Sequence, residues 1–423
     1  MKRILPATML MLGAPVVSVA QSPATASTPS ACVEAVRTEL RQHAMVAQSA
    51  GRPFDKDSAH AIILQNTRAC LARFAVASID ASELPPLATL ALGAEQPKVA
   101  QQAFDRMIAL AGANDSARAG ALLGAERTFM FSGDTSLIPT GEAYLARLDS
   151  ITGAPMQRIT GYMMASSYYS NYDIDDKLGV SARRILEIVR AMPAAQQREA
   201  AEPVIDAYQN LAALQANMLH PDSAIAILRA APAQWTAIDT LAKAFEEDVN
   251  RYSMIGKPAA PLHADYWINV AKGATPPAFK GHVTVLAFTA NWCHSCVDAY
   301  STLTKLSKTL KPRGMRVVLA VNLDGQFKGK TMTPAEEVEA NREYFVKHHG
   351  FDYPIAIQRS NRHGANMPPS DGPSNTEAYL LHAWPQFIVI DKAGTVRAIL
   401  MGWDPYGNRA KALTTAVEKA LVS

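Results

Sequence analysis

The segment Val283-Thr284-Val285-Leu286-Ala287-Phe288 is an apolar, β-branched run, and three linking residues carry it into Trp292-Cys293-His294-Ser295-Cys296. A strand that delivers two cysteines to the start of a helix places their side chains one turn apart on one face, within reach of a reversible bond. The first turn of that helix offers unpaired N–H groups and the positive end of the helix dipole. In such a setting the leading sulfur is stabilised as thiolate, its pKa falling from about 8.5 to about 3.5–7.5. A thiolate at neutral pH with a second thiol behind it performs thiol–disulfide exchange.

Around this motif the C-terminal half alternates between the two regular periods. Strand-like segments are expected at Val283–Phe288, Arg316–Val321, Tyr353–Ile357, Phe387–Ile390 and Val396–Leu400. Helical segments at Cys293–Leu310, Pro334–His348 and Asn408–Val422 separate them. This alternation predicts an α/β layer architecture with right-handed crossovers. Asp391-Lys392-Ala393-Gly394 has the composition of a tight turn joining the last two strands.

Upstream, residues 254–261 (MIGKPAAP) form a Gly/Pro-containing linker, and before it the character changes. From 31 to 252 the chain is rich in Ala, Leu and Gln, with apolar residues at helical spacing and short Gly/Pro/Asp/Asn breaks. Helices pair as 32–49 with 57–79, 84–93 with 97–111, 115–130 with 134–150, 155–170 with 177–191, and 200–218 with 222–231. Helix–turn–helix units of this kind are similar to tetratricopeptide stacking, although no strict repeat holds and a plain bundle fits as well. The expected order is therefore an all-α helical-hairpin domain at 31–252 and an α/β domain at 253–423.

The N-terminus has the form of an export signal over residues 1–20. Lys2 and Arg3 precede the largely apolar Ile4–Val17, and Ser18-Val19-Ala20 supplies small residues for cleavage. Removal of this leader takes the formal charge from +3 to +1, so neither a nucleic-acid-binding excess nor an acidic tail remains. No later stretch reaches the roughly 18 apolar residues of a membrane span. Residues 21–30 (QSPATASTPS) are expected to be a flexible lead-in. With 48% hydrophobic and 19% charged residues, the remainder has ample material for globular cores. Export to an oxidising compartment, the periplasm being favoured, pairs the two remaining cysteines, Cys32 and Cys70, as a structural disulfide between N-terminal helices.

Several features of residues 255–423 then coincide in order. They are Ile255-Gly256-Lys257-Pro258-Ala259, Phe279-Lys280-Gly281 before the first core strand, the cysteine motif, and Val318-Leu319-Ala320-Val321-Asn322. After Tyr353-Pro354 comes Trp384-Pro385-Gln386-Phe387-Ile388-Val389-Ile390-Asp391 with Gly394 beyond it. This half resembles the thioredoxin-fold disulfide reductases of the TlpA/ResA type. The resemblance implies a thioredoxin-like domain with Cys293 and Cys296 as the catalytic pair and no cofactor. It also implies that Pro385 lies beside the sulfurs in a cis peptide bond, where the backbone of Trp384 meets an extended substrate. Trp292, His294, Ser295, Trp384 and Pro385 make up the surroundings of the pair. Relatives commonly carry proline where Ser295 stands, and thioredoxin carries a buried acid where Ala287 stands, leaving Asp298 or a water to accept the proton of Cys296. A cationic His294 would stabilise the Cys293 thiolate further.

The leading reading is an exported thiol–disulfide oxidoreductase, in the reducing direction, acting on protein disulfides and regenerated by a separate redox partner. The helical domain would serve partner docking or dimerisation. Two other readings compete with it. The cysteines could bind copper or zinc with His294, His348, His349 or His382, although no second CxxC or HxxxH lies at metal spacing. Alternatively the helical array is a scaffold to which redox chemistry is incidental. A peroxidase lacks the Pro/Thr/Cys setting around Cys293, and no P-loop, GxSxG or HExxH is present.

Overall fold

The computed structural model describes residue 23 and residues 25–49, 56–172, 174–271, 278–327, 330–360, 370–403 and 408–422. The expected leader at 1–20 lies outside them, as does much of the loop between Gln358 and Leu381. The chain divides into two compact units, Met1–Gln157 and Arg158–Ser423.

The first unit is helical: α1 (Pro29–Ser49), α2 (Lys56–Leu71), α3 (Leu84–Gly93), α4 (Pro97–Leu110), α5 (Asp115–Met130) and α6 (Ile138–Asp149). Proline in the first turn starts α3, α4 and α6, where its missing N–H has no intrahelical partner to lose. Asn114 caps α5 by accepting from the Ala117 N–H at 3.0 Å. Helix α2 stops at Leu71, eight residues short of the expected Ile79, and two 3₁₀ turns follow at Val76–Ser78 and Ala81–Glu83. Each helix packs on the next, α1 on α2, α2 on α3, α3 on α4, α4 on α5 and α5 on α6. Where α4, α5 and α6 meet, Phe129 stacks on Tyr144 and Phe104 meets both rings edge-on. At Gly141 a side chain would stand 2.5 Å from Met130 Cγ, so the approach of α6 to α5 requires glycine.

Cys32 on α1 and Cys70 on α2 are disulfide-bonded, with both sulfurs fully buried. The described part of the segment expected as a flexible lead-in, residue 23 and residues 25–30, is held beside them. The Arg73 guanidinium donates to the carbonyls of Pro23 at 2.6 Å and Ala26 at 2.9 Å, and Ala26 is buried.

Glu126 on α5 is fully buried, and neither carboxyl oxygen has a hydrogen-bond partner. Burial pushes its pKa from 4.5 up to about 9. Between those values the folded chain holds a proton that the unfolded chain has lost, so stability falls as pH rises. At pH 7 the cost is about 3 kcal/mol. Glu126→Gln is expected to melt higher than the parent at neutral pH, with the difference shrinking toward pH 4.5; thermal melts across pH 4.5–9 check this.

The second unit takes in most of α7 (Pro155–Asn171), then α8 (Asp175–Arg190), α9 (Ala194–Glu199), α10 (Ala201–Asn217), α11 (Pro221–Gln234) and α12 (Leu241–Tyr252). The remaining elements are β1 (Tyr266–Ile268), β2 (Val283–Phe288), α13 (His294–Leu310), β3 (Met315–Leu323), β4 (Gln326–Phe327), β5 (Lys330–Thr331), α14 (Pro334–Arg342), β6 (Ile355–Arg359), α15 (Asn375–Ala378), β7 (Gln386–Ile390), β8 (Val396–Met401) and α16 (Asn408–Val422). The change from helices to strands comes after Tyr252, yet α7–α12 and the sheet belong to one compact unit. Arg251, fully buried near the end of α12, shows why. Its guanidinium pairs with Asp248 and with Glu247 at 2.7 Å, and its Nε donates to the Leu380 carbonyl at 2.7 Å. A buried cation with every partner in place fixes the last helix to the strand-rich half.

The main sheet has the order β1-β6-β3-β2-β7-β8. The strands β6, β3 and β2 run parallel; β1 pairs antiparallel with β6, β7 antiparallel with β2, and β8 antiparallel with β7. All six residues of β2 are buried, as a central strand covered on both faces requires. Val283, Val285 and Ala287 face the core formed with α13 and α16, whereas Leu286 and Phe288 face the opposite layer with Tyr379 and Ile388. Pairing of β6 begins at Ile355, two residues later than expected. Pro354 has no N–H to give, though its carbonyl still accepts from Leu319 at 3.0 Å. The helix expected over Pro334–His348 is α-helical to Arg342 and then winds as a π-helix over Glu343–His348.

Candidate active site

Cys293 is the N-cap of α13. Its extended backbone ends the loop from β2, and its sulfur accepts the Cys296 N–H at 3.2 Å. One orphan donor of the helix start is thus aimed at the sulfur that would carry negative charge. Cys293 and Cys296 are disulfide-bonded with Cα atoms 5.3 Å apart. Burial separates their roles: Cys293 retains 6% of its surface, while Cys296 is sealed at 0%. What little exposure the pair retains belongs to Cys293.

The register of β7 on β2 sets Gln386 opposite Phe288, so the residue before Gln386 lies just past the end of β2, where the cysteine loop begins. That residue is Pro385, and the Trp384–Pro385 bond is cis. Its carbonyl accepts from the Gly402 N–H at 2.8 Å, and the buried Gln386 amide donates to the Tyr379 carbonyl at 3.0 Å. The turn is therefore held from both sides. Residues 269–399 match the AhpC/TSA family. The C-terminal half has a thioredoxin-like fold, and the stretch that matches the family model carries Cys293, Cys296 and Pro385.

Solved structures similar to the chain include a thiol-disulfide isomerase from Corynebacterium glutamicum, 17% identical over 39% of this chain and 97% of that one, with a TM-score of 0.31. A thiol:disulfide interchange protein of the thioredoxin family from Chlorobium tepidum is 19% identical over 34% and 82%, with a TM-score of 0.25. A DsbF homologue from Corynebacterium diphtheriae is 21% identical over 33% and 73%, with a TM-score of 0.24. No curated protein matches the chain.

Around the pair in the thioredoxin-fold domain, His294 opens α13 and is exposed, and Ser295 Oγ lies 3.6 Å from Cys293 Sγ. Trp292 is 54% exposed and its ring sits 5.5 Å from that of the half-buried Trp384 at an angle of 59°. The two indoles form an apolar rim beside the accessible sulfur. Next to them a cleft of about 350 Å³ opens between the carboxyl ends of β3 and β6, lined by Asn322, Gln358, Thr376 and Glu377 as well as the indoles. Asn322 donates to Thr376 Oγ1 at 3.0 Å and Gln358 to the Pro373 carbonyl at 2.8 Å, so these walls are fixed before any ligand arrives.

Asp298 is exposed on α13, and Ala287 is in β2 facing the core. Behind Cys296 and one turn further along α13, Tyr300 is buried with its hydroxyl 2.9 Å from Thr289 Oγ1. Burial raises the Tyr300 pKa above its ordinary value. Nothing local in the sequence marks Thr289, whereas the four-residue spacing from Cys296 puts Tyr300 on the same face of α13. His349 packs edge-on against Tyr300 and Tyr344, and burial, then the neighbouring His348, lowers its pKa. Among the described residues no three His, Cys, Asp or Glu side chains converge as a metal site, and no helix is long and apolar enough to cross a membrane.

Proposed function

We propose that the chain is an exported thiol–disulfide oxidoreductase that reduces disulfides in protein substrates. The observation that carries this reading is the asymmetry of the bonded pair, Cys293 at a helix N-cap with the pair's remaining exposure and Cys296 sealed behind it. In the dithiol form, the Cys293 thiolate attacks a substrate disulfide. One substrate sulfur bonds to Cys293 while the other leaves with the electron pair and takes a proton. Cys296, losing its proton, then attacks Cys293. The intramolecular bond closes and the second substrate thiol leaves, so two electrons pass to substrate and the enzyme ends oxidised. A separate dithiol partner must reverse the last step for turnover. The Cys296 N–H and the dipole of α13 favour the thiolate that begins the sequence. The resemblance to TlpA/ResA reductases supports the reducing direction, and the form of residues 1–20 supports export. Cys32–Cys70 is assigned a structural role, since both sulfurs are sealed inside the first unit.

Removing the resolving thiol tests the sequence of steps. Cys296→Ser is expected to accumulate covalent complexes with clients, visible on non-reducing gels and dissolved by dithiothreitol. Absence of such complexes, with exchange still occurring, would rule out resolution by Cys296.

A further inference from the structure

A second cleft, of about 500 Å³, lies within the second unit between the helices and the turn that leads to Pro385. This volume is in the range of about 300–1,000 Å³ that ligand sites occupy. Its helical wall is a polar stripe on α10: Asp206, Gln209, Asn210, Ala213 and Asn217 recur at helical spacing. The opposite face of α10 supplies core residues such as Val204, Ala207 and Ala212. Helix α7 adds Ser166 and Ser170, one turn apart, and the far wall is His382, Ala383 and Gly402.

Two features of this lining are unsatisfied. The Ser166 hydroxyl, on a residue only 5% exposed, has no hydrogen-bond partner. Asp206 is half-buried beside Glu202 one turn earlier, and burial together with that neighbouring charge raises its pKa. The other charges of the cleft are already committed. Asp248 accepts from Gln209 at 2.8 Å and pairs with Arg251. Arg409 lies 3.7 Å from Asp175 and donates to the Met401 carbonyl at 3.2 Å. Asp206 has no ion-pair partner among the described residues. A partly desolvated carboxylate without a counter-charge selects for a cation.

Amides and hydroxyls offer donors and acceptors together, which is what an extended backbone demands at every residue. The four residues His382-Ala383-Trp384-Pro385 run from this cleft to the turn just past the end of β2, where the loop to Cys293 begins, and Gly402 in the cleft wall donates to the Pro385 carbonyl at 2.8 Å. We infer that the cleft binds an extended stretch of the client polypeptide next to its disulfide and takes a lysine or arginine side chain against Asp206. The inference deepens the redox reading above and names the substrate class it favours, polypeptides with a basic residue near the cystine.

Binding of a disulfide-free peptide tests it apart from redox chemistry. A fluorescein-labelled eleven-residue peptide of neutral polar residues with a central lysine is titrated into the full chain, alongside the same peptide with a central glutamine. The lysine peptide is expected to bind about tenfold more tightly. Asp206→Asn is expected to erase that preference, and Ser166→Ala to weaken both peptides with an unchanged melting temperature. Equal affinity for the two peptides, no binding of either, or a preference that survives Asp206→Asn would overturn the assignment. Insulin turnover by the parent chain tests the redox reading separately. A chain that binds the lysine peptide but exchanges no disulfides keeps the cleft and loses the chemistry, whereas one that turns over insulin and ignores the peptide does the reverse.

Discussion

Cys293→Ser removes insulin disulfide reduction, with a loss on the order of 10³-fold or more. Serine keeps the N-cap, because its oxygen accepts the Cys296 N–H as readily as the sulfur does at 3.2 Å. The helix start is thus retained and the effect isolates the nucleophile. What disappears is the sulfur nucleophile: thiolates attack disulfides, and an alcohol in the same place stays protonated. Cys296 is not a substitute, since it is 0% exposed and an incoming disulfide cannot reach it. Circular dichroism should show an unchanged fold, and turnover with a dithiol reductant is the readout. Activity within tenfold of the parent would mean that the chemistry resides elsewhere.

Cys32→Ala combined with Cys70→Ala lowers stability by about 4 kcal/mol on the chain-entropy account, given a separation of 38 residues. The bond ties α1 to α2 at the open end of the helical stack, where no further helix covers α1 from the N-terminal side among the described residues. Without it, the segment held by Arg73 loses its anchor as well, since Pro23 and Ala26 are fixed against the same helix end. A fall in melting temperature of about 10–15 °C is expected. The redox pair belongs to the other compact unit, so turnover at 25 °C is expected to persist. An unchanged melt would show that the bond only decorates a helix pair already stable without it.

Much of this architecture is legible in the chain because its signals are local. The strand period of Val283–Phe288 appears as two alternating buried faces, and the turn at Asp391–Gly394 is a hairpin in which Asp391 Oδ1 accepts from Ala393 and Thr395 at 2.9 Å and Gly394 has φ of 85°. Most helix boundaries up to 231 follow from Gly/Pro punctuation, although α2 stops early and the short α9 gives no signal. What escapes is short or long-range. β1 is only three residues, too few to show a period, and it is recognised by its pairing with β6. α12 looks like an ordinary amphipathic helix with a charged face. Arg251 on it is nonetheless fully buried, because its partner is the Leu380 carbonyl 129 positions away. Most of α7 and all of α8–α12 group with the sheet, α10 packing on β8, though composition alone assigns them to the helices before them. At the site, the cysteines and Pro385 are visible as motif residues. The two clefts are assembled from Asn322, Gln358, Thr376, Asp206 and Ser166, ordinary polar residues that acquire meaning only when distant elements converge.

The claim that a reversible dithiol lies at the head of α13 is tested most directly by equilibrating the full chain in glutathione buffers of graded ratio, trapping free thiols with acid and an alkylating agent, and quantifying the Cys293–Cys296 peptide by mass spectrometry. A single two-electron transition is expected, with Cys32–Cys70 unreactive throughout. A midpoint near −270 mV identifies a reductase and one near −120 mV an oxidant. A Cys293–Cys296 pair that stays in one state across the whole range, with no midpoint at all, would contradict the account.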